Sequence, residues 1–550
     1  MRFWFLIILF VSLPSFSKSL TVLHTNDLHS RFLGGTDYQE GGEFKKLGHY
    51  SKLSHLIKET KSKLKDQPSL LVDGGDFYSG SLFHILGPRE KITFNPEIDF
   101  FLYNNYDATT LGNHEFDANE VGLSNMLSKL KKRKSTFRIV STNAVISKKS
   151  KLYSFKEEVI VKSLVKTLKN DTKVGILGLL GPDGSRVSRS GRSELTFKGY
   201  NETKDKTNWD ELIFELHREI KKLKKVGVDF IVLLMHGGAP EDIKIATNVD
   251  GIDLIVAGHT HEVYVRPIRV KDTYIVQAGS YAQFLGKVVL VKEKGKLTLG
   301  NEDFIQRVLP TTPSDPIFDK RVEKYLEKIN ELISGSGKVA TDKIFTASES
   351  YSHSGEGSLL YGTKVVTAIR SNLNKSRKDK IDLYFSSKAL VREGMLKNKS
   401  YNLLELFQIL PIGMDANFNP GSPVVSFYLS KDEVMRLISF LELYSKFSPL
   451  FTPIYADNIS FEVRNWGIPF INRVHSLKMN GIPFEKWPEL IHVGTNSYVG
   501  SYLDKVGSMS YGLIEFIAKD RTGNPILEIP MSKFSEFHFF SRELEERGAL

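Results

Sequence analysis

The stretch TTLGNHEFD, residues 109–117, sets an amide, an imidazole and two carboxylates within five positions: Asn113, His114, Glu115 and Asp117. Four further apolar, β-like runs end in the same chemistry. LHTNDLH supplies Asp27 and His29, LVDGGD supplies Asp76, LLMHGG supplies His236, and VAGHTH supplies His259 and His261. Carboxylate, imidazole and amide ligands without sulfur suit Zn²⁺, Mn²⁺ or Fe²⁺. Asp27, His29, Asp76, Asn113, His236, His259 and His261 together exceed what a single four-coordinate ion needs, so two divalent metal ions are implied. A shared carboxylate holds such a pair about 3.5–4 Å apart, where it can act on a phosphoryl group. Asp76, on its own strand end, is the candidate bridge. The chain has no cysteine, which rules out thiolate ligands and thiol nucleophiles.

The elements that must bring these residues together are legible as a period. From residue 20 to about 300, short β-branched runs (LTVLHT, SLLVDGG, DFIVLLMH, DLIVAGH) alternate with amphipathic stretches such as LGHYSKLSHLIKETKSKLK and NWDELIFELHREIKKLKKV. That is the pattern of a layered α/β domain. Ligands in such a sheet gather at the carboxyl ends of the strands, so five strand ends can converge although they span residues 27 to 261. Asp27/His29 and His259/His261 are each two apart, and in an extended segment such pairs point the same way. Gly74, Gly75, Gly112, Gly237, Gly238 and Gly258 flank the groups and allow close backbone approach. Asp73 reads as a turn residue, His24 beside Asn26 as a candidate support for the site, and His49, His55 and His84 as ordinary histidines.

A length of 550 residues favours two domains. The Pro- and Asp-rich VLPTTPSDPIFD (308–319) leads into the helix-like KRVEKYLEKINELISGSG, which places the boundary near residue 335. The division is a catalytic domain over 18–310, a linker helix over 311–338 and a second domain over 339–550. In the second, strands such as SPVVSFYLS mix with helices such as KDEVMRLISFLELYS, an α+β pattern. No repeat of fixed period appears. The first 17 residues combine Arg2, a short apolar run and Ser15 and Ser17 at cleavage spacing, so they read as a signal peptide, and an exported, periplasmic or secreted chain with no transmembrane span is expected. The +11 formal charge suits an anionic substrate. The clusters KLKKRK (129–134) and KKLKK (221–225) read as solvated helix faces, and without interleaved aromatics a nucleic-acid polymer is excluded as partner.

In this order and at roughly this spacing, NDLH, GGD, GNHEFD, MHGG and GHTH resemble the calcineurin-like metallophosphoesterases, and more closely the exported 5′-nucleotidase/UDP-sugar hydrolase family. The resemblance covers almost all of residues 20–300. It implies a layered α/β/β/α metallophosphoesterase domain followed by a smaller α+β substrate-binding domain. It further implies one metal on Asp27, His29, Asp76 and His261, a second on Asp76, Asn113, His236 and His259, and a catalytic dyad of His114 and Asp117. Glu115 is then a supporting residue.

In the second domain the resemblance thins. Arg392 fits a family arginine, and Asn398 can replace a glycine where φ is positive, whereas Ile412 stands where the family has a stacking Phe. Asp504 fits a family Asp and Tyr502 is the candidate stacking ring, while Val506 replaces the second aromatic. The bond chemistry is complete and the base-selecting apparatus altered. The expectation is therefore a monomeric phosphohydrolase of small anionic phosphorylated substrates, nucleoside 5′-monophosphates or related nucleotides first. A 2′,3′-cyclic-nucleotide phosphodiesterase or UDP-sugar hydrolase on the same centre is the alternative, and a non-catalytic envelope binding protein the alternative of another class.

Overall fold

The computed structural model describes residues 17–333, 339–444, 454–464, 474–501 and 516–550. The signal-peptide stretch up to Phe16, and Tyr502, Asp504 and Val506, lie outside the described residues. The N-terminal half contains β1 (Lys18–Thr25), α1 (Tyr50–Lys63), β2 (Ser69–Asp73), α2 (Pro96–Tyr103), β3 (Ala108–Thr109), α3 (Asn119–Lys132), β4 (Arg138–Val140), β5 (Ser163–Thr167), β6 (Lys173–Leu180), α4 (Pro182–Val187), α5 (Trp209–Lys225), β7 (Phe230–His236), α6 (Ala239–Asn248), β8 (Leu254–Ala257), β9 (Thr273–Val276) and β10 (Phe284–Glu293), with shorter strands and turns between them.

Alternation within single strands decides the layers. Leu20 and Val22 of β1 and Leu70 and Val72 of β2 face one interior, which they share with Val174 and Ile176 of β6 and Val232 and Leu234 of β7. Leu23 and Leu71 point the other way, onto helix residues such as Leu53 and Ile57 of α1. On the opposite side Leu177 and Leu179 meet Leu212, Leu216 and Ile220 of α5. Two sheets thus pack face to face with helices outside both, the α/β/β/α arrangement. The first sheet orders β10-β1-β2-β3-β4, parallel from β1 to β4 with β10 antiparallel at its side. The second orders β9-β8-β7-β6-β5, parallel except for β5.

The lysine clusters are explained by their helices. Asn208 caps α5 by accepting from Glu211 N–H, Asp210 and Glu211 occupy the first turn, and Lys222, Lys224 and Lys225 the last. Acid at the start and base at the end complement the helix dipole. The 129–134 cluster likewise falls at the end of α3, but it is not solvated throughout: Lys129 is buried and donates to the Gly87 and Arg89 carbonyls.

Where the two sheets meet, Gly178 of β6 lies against the backbone of β4. A Cβ there would come within 1.8 Å of the Val140 carbonyl oxygen, and Thr142 N–H donates to the Gly178 carbonyl at 2.7 Å. Backbone cannot move aside as a side chain can. Gly178→Ala is therefore expected to destabilise the fold by about 1–3 kcal/mol, the usual range for overpacking. Urea unfolding measures this, and an unchanged midpoint would rule out the close approach.

His24 does not support the site. Its ring lies over Gly286 of β10, where a Cβ would meet Nε2 at 2.0 Å, and neither ring nitrogen has a hydrogen-bond partner among the described residues. Burial pushes its pKa down to about 3, so it stays neutral. Asp73 makes the turn its place in the sequence suggests, its carboxylate accepting from the N–H two residues on, and does more besides. It closes β2, fully buried, and accepts from Thr25 Oγ1 (2.7 Å), Thr109 Oγ1 (2.8 Å) and Gly75 N–H (2.9 Å), tying three neighbouring strand ends together.

The chain continues through α7 (Pro316–Ile333) into a half built of α8 (Ser358–Lys375), β11 (Leu383–Ser387), β12 (Pro423–Ser430), α9 (Lys431–Tyr444), β13 (Leu490–Asn496), β14 (Met531–Ser535) and α10 (Glu536–Arg547). Its sheet orders β11-β13-β12-β14, with the first pair parallel and the others antiparallel. Asn398 adopts φ 66°, as its place in the sequence suggests. Helix α7 belongs to the N-terminal half by packing: Phe318 and Tyr325 lie against Phe32, and Tyr325 Oη donates to Asp99 at 3.1 Å. Across the halves, Arg31 donates to the Gln408 carbonyl at 3.1 Å and Lys399 pairs with Asp37 at 2.6 Å. Among the described residues no helix is long and apolar enough to cross a membrane.

Candidate metal centre

The parallel strands of both sheets deliver their C-terminal ends to one place. β1 stops at Thr25, two residues before Asp27; β2 stops at Asp73, three before Asp76; β7 ends on His236 itself; β8 stops at Ala257, two before His259. The pairing of i and i+2 has a different cause from the one the sequence suggests. Asp27, His29, His259 and His261 are not extended: their φ values are 51°, 52°, 82° and 59°, and Asp76 has 53°. Left-handed backbone at non-glycine residues is uncommon, and a cluster of it marks a site whose surroundings over-determine the conformation. Here the restraints are visible. Asp27 N–H donates to the Gly75 carbonyl at 2.9 Å, His29 N–H to the Asp76 carbonyl at 3.0 Å, and Tyr281 N–H to the Asp27 carbonyl at 2.8 Å. Gly112 has no alternative, since a Cβ would fall 2.1 Å from Asp76 Oδ1.

The side chains form two groups whose ligand atoms lie within 4.8 Å of one another: Asp27, His29 and His261, and Asp76, His236 and His259. Asn113 joins the second through Oδ1, 2.9 Å from His259 Nδ1. All seven residues singled out in the sequence are thus assembled. Asp76 faces both groups, with Oδ2 3.0 Å from His236 Nε2 and 3.8 Å from His29 Nε2.

The donor set fits divalent cations. His236 Nδ1 lies 2.9 Å from the Gly74 carbonyl and His29 Nδ1 2.7 Å from the Ser79 carbonyl. A carbonyl only accepts, so both Nδ1 atoms donate, and in the neutral rings both Nε2 atoms carry lone pairs. The His236 Nε2 is buried and lacks hydrogen-bond geometry to any partner despite its 3.0 Å approach to Asp76. His29 Nε2 faces His261 Nε2 at 3.1 Å. Lone pairs and carboxylates aimed at common points, with carbonyls fixing the far ring nitrogens, are what metal ligation requires.

Without cations the charges balance through protons. Burial would depress His236, but Asp76 and then Asp27 outweigh it and raise its pKa to about 10. Burial likewise favours the acid form of Asp76, yet His236, His114 and His29 hold it well below the usual carboxylate range. Asp27 is pushed up to about 7, chiefly by burial. Burial pushes His29 and His261 well down. A cation at these points takes the place of such protons.

Beside the groups, His114 Nδ1 contacts Asp117 Oδ2 at 2.9 Å, and Ser79 Oγ donates to the same oxygen at 2.5 Å. Burial alone would lower the His114 pKa; Asp117 and Asp76 outweigh it and raise it. Glu115 accepts from the N–H groups of Gly112 (2.5 Å), Tyr78 (3.2 Å) and Asp76 (3.3 Å), so it splints two ligand loops. From the other half, Arg392 Nη2 reaches to 3.2 Å of His114 Nε2. Ile412 and Arg392 line a narrow gap with His29, Arg31, His114 and Tyr281. A larger cavity of about 260 Å³ opens next to Asn113 and Asp117, walled by Phe116, Ser188, Met414 and Tyr498.

Two residues of the centre, Tyr281 and Asp183, lie outside the sequence motifs, and a third, Asn26, lies within NDLH without being one of the ligand types there. Asn26 donates to Asp27 at 2.7 Å and to the Gly279 carbonyl at 2.6 Å. Tyr281 packs edge-on against the rings of His29 and His261. Asp183, from α4, places Oδ2 3.2 Å from His259 Nε2. Asn26 adjoins a ligand and could have been found by that; the other two lie in stretches with no metal-ligand spacing.

Residues 20–263 match the sequence profile of the calcineurin-like phosphoesterases. The chain is 29% identical over 343 residues to the trifunctional nucleotide phosphoesterase protein YfkN of Bacillus subtilis, covering 57% of this chain and 21% of that protein. It is 32% identical over 314 residues to a snake venom 5′-nucleotidase of Crotalus adamanteus (54% and 48%), and 30% over 278 residues to an apyrase of Anopheles gambiae (50% and 44%). The matches thus span from about a fifth to a half of these curated relatives. Among solved structures, a 5′-nucleotidase precursor from Thermus thermophilus superposes with a TM-score of 0.73 at 19% identity, over 97% of each chain. A sulfate thiohydrolase of Thermus thermophilus superposes at 0.67 with 16% identity, over 96% and 94%, so the fold by itself does not fix the bond cleaved. On the profile match and the assembled ligand groups together, residues 20–263 are a calcineurin-like phosphoesterase domain, set in a chain with the two-part fold of the 5′-nucleotidase structures.

Proposed function

We propose that this chain is an exported, metal-dependent phosphoester hydrolase that acts on nucleoside 5′-monophosphates or related nucleotides. The observation that carries the reading is the convergence of two acid–imidazole groups, both faced by Asp76, with the His114–Asp117 pair and a guanidinium from the other half. In this reading one ion is held by Asp27, His29, Asp76 and His261 and the other by Asp76, Asn113, His236 and His259. When bound, such ions supply Lewis acidity towards a phosphoryl oxygen and acidify water.

The chain's own residues do the rest. Asp117 accepts from His114 Nδ1 and so orients the ring, with Nε2, which accepts from Arg392 in this structure, as the atom that exchanges a proton with the departing oxygen. Arg392, next to that Nε2, contributes a planar pair of donors to phosphoryl oxygens as charge develops on them. The polar cavity beside Asp117 takes the leaving group, and its walls come from both halves. Domains 18–310 and 339–550, joined by the helix that begins at Pro316, would then supply the chemistry and the leaving-group walls respectively. The names of the venom and apyrase relatives support nucleotides as substrates, and the venom source supports export.

Ile412 argues for a broader substrate range. It lines the gap at His114 and Arg392 and offers no π face for a base. A stacked aromatic contributes about 1–3 kcal/mol in base-binding sites, a contribution that Ile412 does not make at this gap.

The test is phosphate release by the Mn²⁺- or Zn²⁺-loaded chain from AMP, a UDP-sugar, a 2′,3′-cyclic nucleotide and an alkyl phosphate, with coupling enzymes to expose ester products. Preference for AMP supports a nucleotidase, comparable turnover of AMP and the alkyl phosphate supports the broader range, and turnover of none refutes the reading. Chelation with EDTA is expected to abolish turnover and added Mn²⁺ to restore it.

A further inference from the structure

The two groups are supported differently behind their histidines. In the first, the far nitrogen of His29 faces a backbone carbonyl, that of Ser79, at 2.7 Å. In the second, His236 also faces a carbonyl, that of Gly74, but His259 Nε2 faces a carboxylate, Asp183 Oδ2, at 3.2 Å. Asp183 does not belong to either ligand group. We infer that Asp183 is a positioning residue for the second metal group, fixing His259 with its proton on Nε2 so that Nδ1 is the atom offered to a cation. The inference rests on the metal-dependent reading above.

The geometry bears this out on both sides of the ring. An ionised carboxylate only accepts, so His259 Nε2 must donate, and a neutral ring then has its lone pair on Nδ1. That atom lies 2.9 Å from Asn113 Oδ1, on the side where the second group converges. Two acceptors at that distance suit a cation shared between them.

Asp183 is itself held in place. Its other oxygen, Oδ1, pairs with Arg186 one turn along α4, and its N–H donates to Glu241 Oε1 at 3.1 Å, on the helix that follows His236. Gly181 N–H donates to the His236 carbonyl at 2.9 Å, which anchors the start of α4 to the same loop. An anionic partner raises the basicity of a ligating imidazole as well as orienting it, and removing such a partner typically costs about 10–100-fold in metal affinity.

The experiment is a calorimetric Mn²⁺ titration of the metal-stripped, full-length wild type, Asp183→Asn and Asp183→Glu, with thermal unfolding of each metal-free protein. In the wild type two equivalents are expected. In Asp183→Asn one equivalent should weaken by about 10–100-fold while the other is unchanged, and Asp183→Glu should recover part of the loss. Two equivalents within about twofold of wild type in Asp183→Asn would overturn the inference. So would equal weakening of both with a lowered unfolding temperature, which would make Asp183 merely structural. Failure of the hydrolase reading looks different: a wild type that binds two Mn²⁺ but cleaves no phosphoester.

Discussion

Asp76→Ala is expected to lose both metals and with them all measurable turnover. The Asp76 carboxylate faces both groups, 3.0 Å from His236 Nε2 and 3.8 Å from His29 Nε2. Its Oδ1 also accepts from the His114 N–H at 2.8 Å, so the same side chain sets the start of the turn that carries the dyad. Removal of a residue that merely supports a ligand costs about 10–100-fold in metal affinity, and loss of a shared ligand should exceed that at both groups. Asp76→Asn keeps the shape but not the charge and should fall between. Metal analysis after gel filtration checks the point: fewer than half of the wild-type metal equivalents are expected in Asp76→Ala. Retention of both ions would show that the remaining six residues suffice and that Asp76 bridges nothing.

His114→Ala should separate chemistry from binding. His114 contacts no member of the ligand groups through hydrogen bonds of its ring; its partners are Asp117 at 2.9 Å and Arg392 at 3.2 Å. Metal content should therefore stay at the wild-type level while kcat falls by about 10²–10⁴-fold, the usual worth of a positioned acid or base. KM should change far less, because Arg392 and the cavity beside Asp117 remain. Turnover equal to wild type in His114→Ala would remove the residue from the mechanism. Loss of metal together with turnover would instead make it a structural part of the centre.

Much of this centre is legible in the sequence because strand ends are conspicuous. β1, β2, β7 and β8 are short apolar runs, and polar ligand types immediately after such runs have few structural reasons to be buried. Layer assignment follows from alternation, as Leu20 and Val22 face one way and Leu23 the other. What is not legible depends on residues that meet only in three dimensions. Asp183 and Tyr281 reach the ligand histidines from α4 and from a loop before β10, with no spacing that links them to the motifs. The extended i, i+2 geometry fails at Asp27, His29, His259 and His261 because all four have a left-handed backbone, held at Asp27 and His29 by hydrogen bonds to the Gly75 and Asp76 carbonyls. His24 misleads for the converse reason: it adjoins the ligand motif, but as a strand residue it points at Gly286 and away from the metals. In the second half, Arg392 meets His114 across 278 residues of sequence, a contact that local pattern cannot supply. Tyr502 and Asp504 remain sequence expectations, outside the described residues.

The most direct measurement is phosphate release from a competent phosphoester by the metal-stripped chain as Mn²⁺ is added in sub-stoichiometric steps. Turnover should be absent at first and rise to a plateau at about two equivalents per chain, as expected for a two-metal centre. Turnover that is full before any metal is added would contradict the account, as would two bound equivalents with no hydrolysis of any phosphoester.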